Sequence, residues 1–182
     1  MEEQQSPFQA AIKPGLTIGL VSLALTFVAY FIDSTLLGSA WFGLVALVLF
    51  FVLIIYFGKQ YRTEIGGFMS FGTAFNFSFI TMVISGLVGL IGQVLLFHVV
   101  DPSLAGVLAD QAFETQMSMM ESFGQDPDAM DPAVLEEMKS STAKGFTLSG
   151  QLMNFGFGLI VYAIIALILG AILKKRDKSL DY

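Results

Sequence analysis

Four stretches of this chain run without a charged side chain for lengths that suit a lipid bilayer better than water. They are residues 14–32, 34–58, 65–100 (with His98 neutral) and 145–173. A helix that crosses a bilayer needs about 20 mainly apolar residues, and each stretch supplies them. The weakest still carries ten Leu, Ile, Val or Phe residues between Gly15 and Ile32, an insertion energy of roughly −3 to −6 kcal/mol before glycines and hydroxyls subtract from it. A soluble fold is excluded from the other direction. Only 13% of the 182 residues are charged while 55% are hydrophobic, against about 25% charged residues in soluble domains. The fold class is therefore all-α: a polytopic membrane protein with a four-transmembrane-helix bundle and an extracytoplasmic helical hairpin between helices 3 and 4. A single membrane domain, 1–182, is expected, with spans near 14–32, 38–58, 70–98 and 150–173.

The distribution of Lys and Arg sets the orientation, because cytoplasmic flanks keep positive charge. With the N-terminus inside, Lys13, Lys59, Arg62, Lys174, Lys175, Arg176 and Lys178 are cytoplasmic and only Lys139 and Lys144 lie outside. Both termini are thus expected in the cytoplasm. Met1-Glu2-Glu3-Gln4-Gln5 lacks the basic start of a secretory signal, so the first span reads as a retained signal anchor. The absence of cysteine removes disulfides, thiolate metal sites and cysteine nucleophiles.

Acidic residues gather in one loop, residues 101–145, and account for most of the net charge of −6. That balance argues against nucleic acid as a partner. Asp101-Pro102 and Asp131-Pro132 each look like a helix start, with an aspartate cap and a first-turn proline, and Gly124 and Gly145 look like stops. Leu104, Val107 and Leu108 recur at helical spacing, so the first helix is amphipathic. Asp126, Asp128 and Asp131 lack the glycine and closing glutamate of an EF-hand, and helix capping explains them. His98 is the chain's one histidine and has too few neighbouring donors for a metal.

Residues 59–69 are expected to form a cytoplasmic elbow. As one helix the 36 residues 65–100 would be about 54 Å long, against a hydrocarbon core of about 30 Å, and Gly66-Gly67 is the natural break. Ser70 then caps a new helix from Phe71, and Phe68, Phe71, Phe75 and Phe79 share a face for packing or lipid contact. Tyr61, Arg62 and Glu64 are read as interfacial anchors. The alternative is an Arg62–Glu64 ion pair at a substrate gate.

Small and hydroxyl residues form stripes: Gly15, Gly19, Ser22, Thr26, Tyr30 in the first span, Ser78, Ser85, Gly89, Gln93 in the third, and Gln151, Asn154, Gly158, Tyr162 in the fourth. Such stripes mark close helix packing in lipid. The competing reading is a polar path lined by Tyr30, Gln93, Asn154 and Tyr162. No catalytic fingerprint is present, so a non-enzymatic protein without cofactor or metal is expected.

The Tyr-Arg, Gly-Gly-Phe, Ser-Phe-Gly and Ala-Phe groups within 61–75, the four spans and the loop opening Val99-Val100-Asp101-Pro102-Ser103-Leu104 together resemble a bacterial family known as domain of unknown function 4199, over roughly residues 8–175. The resemblance implies an inner-membrane location and no assigned activity, cofactor or catalytic residue. It departs where Thr73 and Asn76 stand at positions that carry glutamine and a basic residue in the family. Two roles are expected to compete. One is an inner-membrane scaffold or accessory subunit that meets a protein partner through the acidic loop. The other is a small transporter or channel component acting as a homo-oligomer.

Overall fold

The computed structural model describes residues 6–176. Lys178 and Ser179 lie outside the described residues, as does the acidic start 1–5. Six helices make up the described chain: α1 Pro7–Ile32, α2 Ala40–Glu64, α3 Phe71–Leu95, α4 Leu104–Ser122, α5 Pro132–Gly145 and α6 Leu148–Leu173. There is no strand among these residues, and α1, α2, α3 and α6 are each long and apolar enough to cross a membrane.

Local chemistry sets where each helix begins. Ser6 and Gln9 form a capping box, each backbone N–H donating to the other's side chain at 3.3 Å, with Pro7 in the first turn. The helix therefore starts seven residues before position 14, because a satisfied cap outweighs the charge on Lys13. Pro14 sits inside α1 and leaves the Ala10 carbonyl without its helical donor. Ser39, Ser70 and Thr147 cap α2, α3 and α6 by accepting from Phe42, Thr73 and Gly150 at 3.2, 3.1 and 3.1 Å. Asp131 caps α5, accepting from Ala133 at 2.8 Å with Pro132 in the first turn. At the other Asp-Pro the helix begins later, at Leu104. There Asp101 instead closes a turn, accepting from the Ser103 N–H and hydroxyl at 3.1 and 2.6 Å.

α2 continues through Glu64, so helix occupies the first part of the expected elbow 59–69. Backbone bonding from i to i−4 is indifferent to whether Lys59, Arg62 and Glu64 are solvated, and only glycine conformation stops it. Gly66 and Gly67 adopt φ of +98° and +86°, a region that other residues rarely enter. α3 ends in one π-helical turn, Leu96–Val100.

α3 is the centre of the assembly, packed along α1 on one side and α6 on the other. In lipid the association of helices comes from close contact rather than from water expulsion, and glycine permits that contact. A Cβ on Gly15 would stand 2.7 Å from Ile84 Cβ, and one on Gly19 would stand 2.6 Å from Val88 Cβ. On the opposite face Phe71 lies against Gly170, and Phe75 stacks on Phe79 with centroids 6.0 Å apart. Ile18, Ile54, Met82, Ala166 and Leu169 close the core between these helices. α2 is different. Its buried residues are Ile54, Gly58 and Tyr61, all in the half near the elbow, while Trp41, Leu44, Val45, Leu47 and Val48 in the other half are exposed.

α4 and α5 pack on one another, with Lys139 paired to Asp110 at 3.3 Å. Leu104 and Leu108 bury against Leu96 and Phe97. The Gln111 amide donates to the Thr35 carbonyl at 3.1 Å, fixing α4 to the 3-10 turn Ser34–Gly38 that joins α1 to α2. The hairpin is therefore fastened across one end of the spans, here called the hairpin end; the other is the elbow end.

Candidate functional site

The missing side chain of Gly89 on α3, where an added Cβ would meet nothing within 4 Å, leaves space at the hairpin end, and α5 folds over it. The result is a cavity of about 740 Å³. Its polar wall comprises Thr26 of α1, Gln93 of α3, Gln151, Asn154 and Tyr162 of α6, and Ser141 and Thr142 of α5; its apolar wall includes Phe42, Phe97, Phe146 and Phe155. None of the lining residues is charged. The floor is the Tyr162 hydroxyl, which sits where a Cβ on Gly86 would stand 2.7 Å away. At 1.5 Å per residue Tyr162 lies about 21 Å along α6 from Leu148, so the cavity reaches well into the span. One turn further on, fully buried Met82 and Ala166 belong to the core that shuts it. The cavity is blind at its inner end.

Gln93, Asn154 and Tyr162, three of the four residues expected on a polar path, meet in this cavity. Tyr30 does not; its hydroxyl donates to Asp101 Oδ2 at 3.2 Å. Ser141, Thr142 and Phe146 were not legible as lining, because span periodicity carries no information on where α5 comes to rest. The amides are poorly matched within the protein. Asn154 Nδ2 reaches the Gly145 carbonyl at 3.4 Å, and Gln151 donates to the Phe146 carbonyl at 2.9 Å while its buried Oε1 has no partner. The Gln93 side chain forms no hydrogen bond among the described residues, although its carbonyl accepts from the Leu96 N–H. Gln93 and Asn154 are exposed, whereas Gln151 Oε1 is buried, and a buried polar atom with nothing to bond costs roughly 2–7 kcal/mol.

The elbow residues form a second cluster, with structural connections. The Tyr61 ring is buried and stacks on Phe77 at 5.1 Å. Arg62 Nη1 donates to the Leu173 carbonyl at 3.1 Å, satisfying one of the orphan acceptors at the end of α6. Met69 and Lys175 exchange two backbone hydrogen bonds at 3.0 and 2.9 Å, and the Lys175 ammonium lies 5.6 Å from the Phe68 ring centroid. Glu64 accepts from Gln60 at 3.1 Å. Arg62 is thus directed at a helix terminus, and the elbow is a clasp between α2, α3 and the end of α6. Replacing Arg62 by alanine is expected to expose the α6 terminus and speed amide exchange over residues 170–175, with lysine restoring part of the protection.

The hairpin end holds two carboxylates below the usual range. For Asp101 the main cause is the Ser103 hydroxyl bond, opposed by desolvation and helped by the Ser103 amide and Tyr30. For Asp33 it is the Thr35 hydroxyl, then the Thr35 amide. A depressed carboxylate contributes stability that is present above its unfolded pKa, about 3.9, and that is lost as pH falls through the lower folded value. The turns at 33–35 and 101–104 are therefore expected to keep their amide protection from neutral pH down to about pH 4 and to lose it below. Asp101→Asn should be less protected at neutral pH and should lack that acid transition.

A family model described as "Protein of unknown function (DUF4199)" matches residues 13–175. No curated protein and no solved structure matches the chain.

Proposed function

The chain belongs to the family described as protein of unknown function (DUF4199), and from that premise we propose a non-enzymatic scaffold or accessory subunit of the bacterial inner membrane. α1, α2, α3 and α6 form its four-helix bundle, both termini are cytoplasmic, and α4–α5 is the extracytoplasmic hairpin that meets a protein partner. The observation that carries this reading is the fastening of an acidic surface to the span ends. Gln111 holds Thr35, Tyr30 holds Asp101, and Leu104 and Leu108 are buried. On the free side Asp110, which pairs with Lys139, and Glu114, Glu121, Glu136 and Glu137 are exposed, interleaved with Phe123, which is 81% exposed, and Met119. A surface held in place loses little freedom on binding, and its charge selects a basic partner.

Photo-crosslinkers at Phe123 and Met119 in growing cells test this. A discrete product is expected, one that high salt diminishes and that disappears when those five carboxylates become amides. Retention of the product in the neutralised variant would remove the hairpin from the interface. Cysteines at Ser103 and Ser179 test the orientation: an impermeant thiol reagent is expected to reach the first in intact cells and not the second, and the reverse result would invert the topology.

The cavity favours a second reading, a small transporter or channel component acting as an oligomer. Because the cavity is blind in one copy, a path requires a further copy or a movement of the loosely packed half of α2. Leucine at Gln93 and Asn154 would then abolish flux, whereas a scaffold would keep its partner.

A further inference from the structure

We propose that the cavity at the hairpin end binds the ring of an uncharged, membrane-soluble molecule of the quinone class, which enters sideways from the lipid past the unpacked half of α2. This is independent of the partner reading above, since it concerns the interior of the spans and not the acidic surface.

Charge decides first. No Asp, Glu, Lys, Arg or His lines the cavity, so a phosphate or ammonium head would lie at membrane depth without a counter-charge, which is strongly unfavourable. The occupant is therefore neutral. Hydrogen bonding decides next. Gln93 on α3 and Asn154 on α6 supply amide donors from two different helices, and the Tyr162 hydroxyl adds one at the floor. The Gln93 side chain has no partner among the described residues and the Asn154 amide only a long one, and both side chains are exposed and so free to turn to a ligand. A ring with carbonyl acceptors on opposite edges meets donors arriving from two walls. Phe42, Phe97, Phe146 and Phe155 then offer ring faces and edges for stacking. The volume, about 740 Å³, is that of sites which enclose a drug-sized ligand.

Access follows from the packing of α2. Phe42 is its one residue lining the cavity, and no α2 residue before Ile54 is buried. The half of α2 that carries Phe42 is therefore free to move aside, and an isoprenoid or alkyl tail needs no groove in the protein because the bilayer solvates it.

The experiment uses the full chain in phosphatidylcholine nanodiscs and a decyl-tailed benzoquinone as probe. Trp41 is the chain's only tryptophan, next in sequence to the lining residue Phe42, and quinones quench indole emission. Saturable quenching and a thermal midpoint raised by several degrees are expected for the native protein. Gln93→Leu with Asn154→Leu should weaken apparent affinity at least tenfold. Gly89→Leu guards against misfolding: a Cβ there meets nothing within 4 Å and leucine favours helix, so this variant should fold normally while filling the cavity and abolishing saturation. Linear quenching of equal slope in all three proteins would mean simple partitioning and would overturn the proposal. So would a phospholipid retained by the native protein, lost from Gly89→Leu and not displaced by the quinone. The hairpin variant with neutralised carboxylates should bind the probe unchanged, so that failure of one reading is visible apart from the other.

Discussion

Leucine at both Gly15 and Gly19 is expected to separate α1 from α3 and to lower stability by about 2–6 kcal/mol, since overpacking costs roughly 1–3 kcal/mol per site. The neighbours that would have to yield are Ile84 and Val88, whose Cβ atoms lie 2.7 and 2.6 Å from the added Cβ. A branched Cβ is attached directly to the helix backbone and has one strongly preferred rotamer, so it cannot swing aside as the end of a leucine can. The helices themselves must move. Thermal unfolding in mild detergent measures the effect, and Gly43→Leu on the exposed half of α2 is the control, since its Cβ meets nothing within 4 Å and leucine, the better helix former, should leave stability unchanged or raise it by up to about 1 kcal/mol. An unchanged midpoint in the Gly15/Gly19 variant would mean that the α1–α3 seam does not hold the protein together.

The second large effect is at the elbow. Gly66→Val with Gly67→Val places branched side chains at φ of +98° and +86°, a strain of roughly 1–3 kcal/mol at each position. Neither added Cβ would touch another atom, so the penalty is conformational and not steric contact. Gly66→Asn should be far milder because asparagine tolerates positive φ. The readout is a clasp as well as a melting curve. Cysteines at Met69 and Lys175, whose backbones are paired, should crosslink in the native elbow and fail to do so in the valine variant. Full crosslinking with valines in place would show that the glycines do not set the path of the chain.

Much of this was legible in the chain because it is local. Charge-free runs announce spans, serine before an apolar run announces a cap, and paired glycines announce a break. Each of these depends on residues within about one turn of each other. The exception at residue 14 is instructive: the charge on Lys13 marked a span boundary, while the Ser6–Gln9 box marked the helix boundary, and these are different physical quantities. The same distinction separates α2, which runs to Glu64, from its membrane-embedded part.

The candidate sites divide along that line. The phenylalanines of α3 share a face by spacing, but only packing assigns Phe71 to Gly170 and Phe75 to the α6 side. Small-residue stripes located Gly15 and Gly19 without naming Ile84 and Val88 as the surfaces they accept. Gln93, Asn154 and Tyr162 were visible as polar residues at helical spacing, and Tyr30 looked the same.

What the amino-acid order alone determined is the set of helices, their solvent and their breaks, because hydrophobic transfer and backbone capping act over neighbouring residues. What required the tertiary structure is partnership. Tyr30 reaches Asp101 across 71 positions and Arg62 reaches Leu173 across 111, and the cavity exists because α5 turns back over a gap that Gly89 leaves in α3. Such meetings depend on how helices cross and where a hairpin comes to rest, which is decided by the shape of the packed whole.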